Sequence, residues 1–363
     1  MRNLIVASVV LAYLVSACGP SVGPAGPAAG ASAPAASATA TPRQVLTLRV
    51  GLGSTPAPAL PNSVLWLAKD LGFYEREGLD VTLVELQGTP LVITAMRSGD
   101  IDVGNIATSD VLNLVATKTL DLRAIHSPDS RQYFMIAARD AVASLADLKG
   151  RAFSIARVGS LDHSMTQVVM RAGGVDPATV RFVGGGDPSA RATTLVAGRV
   201  DATTMSIGTW ISIQNEKGVK TLVNVDDYFA AAPIVVKVDA ATTKVIAEKA
   251  EQLRRFTAAI IKASRAFAQD QKLWVDAIAK RRPDLARADV EGLWPQFKRS
   301  WAVNGTLNLV EYQKSAEFLY GTDDFKDTPK IPAQAWADTT FADSVLRELG
   351  VIPGADDPGR AIR

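Results

Sequence analysis

The sequence predicts an α/β protein of two lobes, each built on a parallel sheet, with a ligand cleft between them and a helical C-terminal part. Three observations predict it. From Gln44 onward, short apolar runs alternate with helical stretches of about 10–15 residues, the pattern of parallel sheets with crossover helices. The alternation runs twice, over about 45–128 and about 133–235, and each half carries the same phrase: "RSGDIDVG" at 97–104 and "AGRVDATT" at 197–204. From Thr243 onward the chain reads almost wholly as helix.

Each element has a local reason. Leu46–Leu52 is a β-rich apolar run, and the loop Gly53–Pro61 leads into a helix over Asn62–Asp70. Leu79–Leu86 is the next strand. Thr89-Pro90 opens a helix, with Thr as cap and Pro at the first helical position. Ile101–Ile106 follows, and Thr108 or Ser109 caps the next helix. Leu122–His126 and Tyr133–Ala138 are strands. In the second half, strands are expected at Phe153–Ala156, Val180–Val183, Ala202–Ser206, Thr221–Val225 and Ile234–Val238. Helices are expected from Ser160 through Ala172, from Asp187-Pro188, and from about Gly208 to Glu216.

Composition removes several classes of function. The 363 residues allow about two domains at roughly 150 residues each. A formal net charge of +2, with no basic run, argues against a nucleic-acid partner. A single Cys excludes a disulfide framework and Cys-rich metal sites, and two His cannot build a His-rich metal centre. No cofactor or metal is expected.

The N-terminal segment reads as an export signal. Arg2 precedes an apolar run, Leu4 to Val15, which is too short for the roughly 20 residues of a membrane-spanning helix. The only Cys then stands in Val15-Ser16-Ala17-Cys18, which resembles the lipobox of bacterial lipoproteins. Residues 1–17 are therefore expected to be a signal peptide and Cys18 the lipidated residue. Residues 19–42 hold no charge and no aromatic, so with Cys18 they form a disordered linker over 18–43. A flexible leash of 24 residues reaches about 25–30 Å. A soluble body leashed to a membrane is expected in the cell envelope, at the outer face of the cytoplasmic membrane or in the periplasm.

The phrase "WLAKDLGFYEREGLDVTLVEL" (66–86) resembles the opening of type II substrate-binding proteins of ABC importers, in the branch of aliphatic-sulfonate, taurine, nitrate and pyrimidine-precursor binders. "GTPLVITAMRSGDIDVGNIATSD" (88–110), "SLADLKGRAFSIARVGS" (144–160) and "VDPATVRFVGGGDPSARATTLVAGRVDAT" (175–203) follow in the family's order. The resemblance implies the type II periplasmic-binding-protein fold: residues 44–128 and 237–363 in one lobe, 129–236 in the other, with crossovers near Ser127–Tyr133 and Ala232–Lys237. It implies no enzyme but a monomer that closes about a hinge on a small-molecule ligand and hands it to an ABC permease with its cytoplasmic ATPase. Two alternatives stay open: an enzyme on the same fold, related to pyrimidine-precursor synthesis, and a sensory lipoprotein that presents its ligand to a receptor.

The candidate site follows from strand direction. Open parallel sheets bind ligands beyond the carboxyl ends of their strands, where helix N-termini offer unpaired N–H groups to anions. The loops at those ends are rich in Gly and hydroxyls: Ser54 and Thr55, Gly88 and Thr89, Asn105 with Thr108 and Ser109, Ser160, Gly184–Asp187, and Ser206 to Trp210. Each is served equally by simple helix capping; Asp110 and Asp187 both begin helices. Arg157 is the candidate fork for a carboxylate or sulfonate, or else a surface ion pair. His163 lies one turn into the same helix, and Trp210 is a candidate stacking surface or a packed aromatic. Arg131 falls in the predicted first crossover. The expected ligand is a small organic anion.

Overall fold

The computed structural model describes residues 45–297 and 300–356, in which ten strands form two five-stranded sheets. The signal-peptide, lipidation and linker expectations lie outside the described residues. The first sheet contains β1 (Leu46–Leu52), β2 (Leu79–Glu85), β3 (Val103–Ala107) and β4 (Leu122–His126). The second contains β5 (Phe134–Arg139), β6 (Ala152–Ile155), β7 (Arg181–Gly184), β8 (Ala202–Ser206) and β9 (Val219–Val223). The last strand, β10 (Lys237–Thr242), returns to the first sheet. The orders are β2-β1-β3-β10-β4 and β7-β6-β8-β5-β9.

Neither sheet is wholly parallel, which corrects the expectation. β10 runs antiparallel to β3 and β4, and β5 runs antiparallel to β8 and β9. The cause is the route of the chain. β5 and β10 are the strands that arrive from the other lobe, after residues 127–133 and 232–236. They enter at the edge where the neighbouring parallel strands end, so they must run against those strands. Their first residues, Phe134 and Lys237, pair with the last residues of β8 and β3, Ser206 and Ala107.

The repeated phrase is explained by a repeated clamp. Asp102 Oδ2 accepts from the Arg49 N–H at 2.9 Å, and the Asp102 N–H donates back to the Arg49 carbonyl. Asp201 Oδ2 accepts from the Ala152 N–H at 2.9 Å, and the Asp201 N–H donates to the Ala152 carbonyl. In both lobes this aspartate fixes the approach to a parallel strand beside the lobe's first parallel strand.

Several boundaries shift by one or two residues, and three departures are larger. The last strand starts at Lys237 instead of Ile234, because Ile234, Val235 and Val236 bury their side chains in the crossover with no sheet partner. The helix expected over Gly208–Glu216 is one turn, Ile207–Trp210, followed by turns over 211–218. An unexpected helix, Val225–Ala231, is capped by Asn224, whose side-chain oxygen accepts from the Asp227 N–H at 2.9 Å.

The C-terminal part is helical and covers the first sheet. Helix Ala250–Gln269 packs on the helices Val64–Asp70 and Phe73–Arg76, and helix Thr340–Leu349 packs on β4. Helix Leu309–Tyr320 rests on helix Thr108–Ala116. Trp274 is fully buried there; its ring meets Phe297 and Trp301 edge-on at centroid distances of 5.8 and 5.7 Å, and its N–H donates to Ser63 Oγ at 3.1 Å. Trp274→Ala is expected to cost about 3–5 kcal/mol in denaturant unfolding. A loss under about 0.5 kcal/mol, typical of surface substitutions, contradicts this packing role.

Candidate functional site

Between the facing ends of the two sheets lies a cavity of about 270 Å³. Its walls come from the loops after β1, β2 and β3 on one side and after β6, β7 and β8 on the other, and both crossovers contribute to it. All six helices that follow these strands begin at this edge. Much of the lining is apolar: Pro56, Pro58, Leu60, Tyr133, Phe134, Leu161 and Val236.

The structure brings most of the sequence candidates to this cavity. Ser54, Thr55, Gly88, Thr89, Arg157, Ser160, Asp187 and Ser206 line it. Several have local duties as well. Thr55 Oγ1 donates to Glu85 at 3.1 Å, Asp187 accepts from the Ser189 N–H at 2.8 Å as a helix cap, and Ser206 Oγ accepts from the Thr209 N–H at 3.2 Å.

Five candidates lie elsewhere. Asn105 is buried beneath the cavity, donating to Asp239 Oδ1 at 2.8 Å. Asp239 also meets His126 Nδ1 at 2.8 Å. Thr108 and Ser109 are buried at a helix start, where the Thr108 N–H donates to the Val236 carbonyl at 3.0 Å. The returning chain thus covers the end of β3. His163 Nδ1 faces Asp324 at 2.9 Å, its ring meets Phe182 edge-on, and Asp324 also accepts from Ser164. Trp210 packs in the second lobe's satellite core.

The charges lining the cavity are mostly paired. Arg157 Nη2 donates to Asp110 Oδ1 at 2.6 Å, joining the loop after β6 to the helix after β3, and so spans the two lobes. Arg191 Nη1 donates to Asp162 Oδ2 at 2.8 Å, both groups being buried. Arg282 pairs with Asp284 and donates to the Ala57 carbonyl. Arg131 in the first crossover turns outward, bonding Asp226 and covering the ring of Phe229.

Sequence reading missed the crossover residues Asp129, Gln132 and Lys237. Among the described residues Asp129 Oδ1 and Gln132 Nε2 are buried without a partner, as are Asn62 Oδ1 and Arg191 Nε, and all four residues line the cavity. Lys237 Nζ has one hydrogen-bond partner among the described residues, Thr89 Oγ1 at 3.4 Å, and no carboxylate oxygen within 4.0 Å. Burial pulls its pKa down, against Asp110, Asp239, Asp129 and Asp187, which push it up. The available signal was a lone cation inside the apolar run 234–238. Among the described residues no group of three or more His, Cys, Asp or Glu is arranged to hold a metal.

Comparison with known proteins places the fold. The family described as NMT1/THI5 like matches residues 62–272, more than half of the chain, and the chain belongs to that family. Its architecture is that of periplasmic binding proteins. The alkanesulfonate-binding protein SsuA from Xanthomonas axonopodis pv. citri, solved bound to MOPS, is 18% identical with a TM-score of 0.65, over 82% of this chain and 100% of that one. The periplasmic nitrate-binding protein NrtA from Synechocystis PCC 6803 is 13% identical with a TM-score of 0.66, over 86% and 92%. The Candida albicans CA3427 gene product, described as having the generic periplasmic binding protein fold, is 15% identical with a TM-score of 0.60, over 83% and 94%. No curated protein matches the sequence.

Burial pushes the Asp129 carboxyl up to about 8, and the Asp239 carboxylate adds to the rise while Lys237 opposes it. In the unfolded chain this carboxyl titrates near its ordinary value of ~3.9. The folded state therefore binds the extra proton between these values, and Asp129 makes stability fall as pH rises through that window. Asp356, pushed up to about 6 by burial, makes a similar contribution that ends lower. Between pH 6 and 8 the remaining fall from these two groups is Asp129's. Asp129→Asn is expected to flatten the stability profile there, measured by denaturant unfolding at each pH. Parallel profiles for variant and wild type would contradict a buried, protonated Asp129.

Proposed function

We propose that this protein is the extracytoplasmic solute-binding component of an ABC importer. It captures a small organic anion of sulfonate or carboxylate type by hinge closure and delivers it to the permease. The observation that carries this reading is the cavity itself: two lobes and both crossovers supply its walls, so a ligand there touches every part that must move together. Family membership agrees with it. So do the names of the structural neighbours, two of which are a sulfonate binder and a nitrate binder. The apolar lining favours a carbon skeleton over a bare inorganic ion. Among the described residues no helix is long and apolar enough to cross a membrane, and lipidation of Cys18 would supply the anchor.

A thermal-shift screen against sulfonates, taurine, nitrate, aromatic carboxylates and pyrimidines tests the proposal. A ligand at 100 times its Kd stabilises by about 2.7 kcal/mol, which raises the Tm by several degrees. The expected result is a rise confined to one class of organic anion, with the ligand recovered unchanged. Consumption of the ligand would overturn the reading.

Closure has its own probe. A Cβ at Gly208, in the second lobe, would stand 2.7 Å from the Ala59 carbonyl oxygen in the loop after β1. Gly208→Ala should hold the lobes apart and weaken binding about tenfold or more, ~1.4 kcal/mol. Unchanged affinity would argue against closure at this contact.

A further inference from the structure

We propose that the ligand's anionic head is held by the crossover residues Lys237, Gln132 and Asp129, that Arg157 instead ties the lobes together, and that the ligand is a monoanion. The inference rests on the solute-binding reading above and assigns the groups that confer its charge preference.

An ion drawn away from water needs a counter-charge or hydrogen bonds in proportion to its burial, and Lys237 is half-buried. Of the cations lining the cavity, Arg157, Arg191 and Arg282 each hold a carboxylate at 2.6, 2.8 and 2.7 Å. Among the described residues Lys237 holds only a hydroxyl, at the long distance of 3.4 Å. An incoming anion meets at Lys237 a cation with no carboxylate hydrogen-bonded to it among the described residues, whereas at Arg157 it must displace Asp110. One such open cation, with carboxylates further off around it, favours one negative charge on the ligand over two.

Two further polar groups line the same cavity. Gln132 Nε2 and Asp129 Oδ1 are more than nine-tenths buried, line the cavity and have no partner among the described residues. The amide offers N–H donors. A protonated Asp129 offers an O–H. Donors from two independent crossovers converge on an acceptor-rich head such as a carboxylate or sulfonate. Tyr133, Phe134 and Val236, their neighbours in sequence, also line the cavity and offer apolar surface to the rest of the molecule.

The test compares benzoate with its neutral isostere benzamide, and butyrate with the dianion succinate, at matched ionic strength. The Kd is measured by calorimetry for wild type, Lys237→Met, Gln132→Leu and Arg157→Ala, with circular dichroism as the check on folding. Wild type should prefer each monoanion over its counterpart. Lys237→Met should weaken monoanion binding about ten- to hundredfold and abolish the preference for benzoate over benzamide. Gln132→Leu, the second variant should Lys237→Met fail to fold, should weaken it about tenfold. Arg157→Ala should lose affinity modestly while keeping that preference. Benzoate and benzamide bound equally by wild type and Lys237→Met would overturn the subsite and leave the solute-binding reading intact. Loss of the benzoate preference in Arg157→Ala but not in Lys237→Met would overturn the assignment in favour of Arg157. Wild type that binds none of the four probes, while another neutral solute binds, would overturn the anion subsite alone.

Discussion

Each sheet is completed by a strand that arrives from the other lobe, and the rest of the structure follows from that constraint. β5 and β10 enter at the carboxyl edge of their neighbours and must run antiparallel to them. The two crossovers therefore run along the ends of the sheets, where the helices that follow the strands begin. A cavity at that edge is lined by both lobes and by the segments that join them. Crossovers and cavity are then one region, so on the proposed reading whatever fills the cavity also touches the segments that join the lobes.

The same routing carries unusual polarity inward. His126 and Asp239 are fully buried just outside the two crossovers, and Asn105 links to Asp239 from β3. Asp129, Gln132 and Lys237 lie between this buried cluster and the cavity. Unsatisfied buried polar atoms cost stability, and several are gathered here. In a core they would be a defect. On the proposed solute-binding reading they are groups that a ligand would satisfy.

The parts of the fold legible in sequence were those set by local chemistry. Alternating periodicity marked the strands, and Thr89-Pro90 and Asp187-Pro188 marked helix starts. The Gly and hydroxyl loops after strands were legible as the lining of one cavity because strand direction sends those loops to one edge. What escaped depended on distant chain. Asn105 and Thr108 are screened from the cavity because β10 returns beside β3, and no spacing near residue 105 announces that. His163 faces Asp324, 161 positions away, in the C-terminal part. The sequence places Lys237 inside an apolar strand, Ile234–Val238, and in the second crossover, and neither reading marks it as a cation at the cavity, where it begins β10.

Calorimetric titration of the purified protein with a ligand of the proposed class is the most direct test of the central claim. A two-lobed binding protein closing on a solute gives saturable heat with one site per chain, and the ligand is recovered chemically intact. Heat that continues after saturation, with conversion of the ligand, would contradict the account.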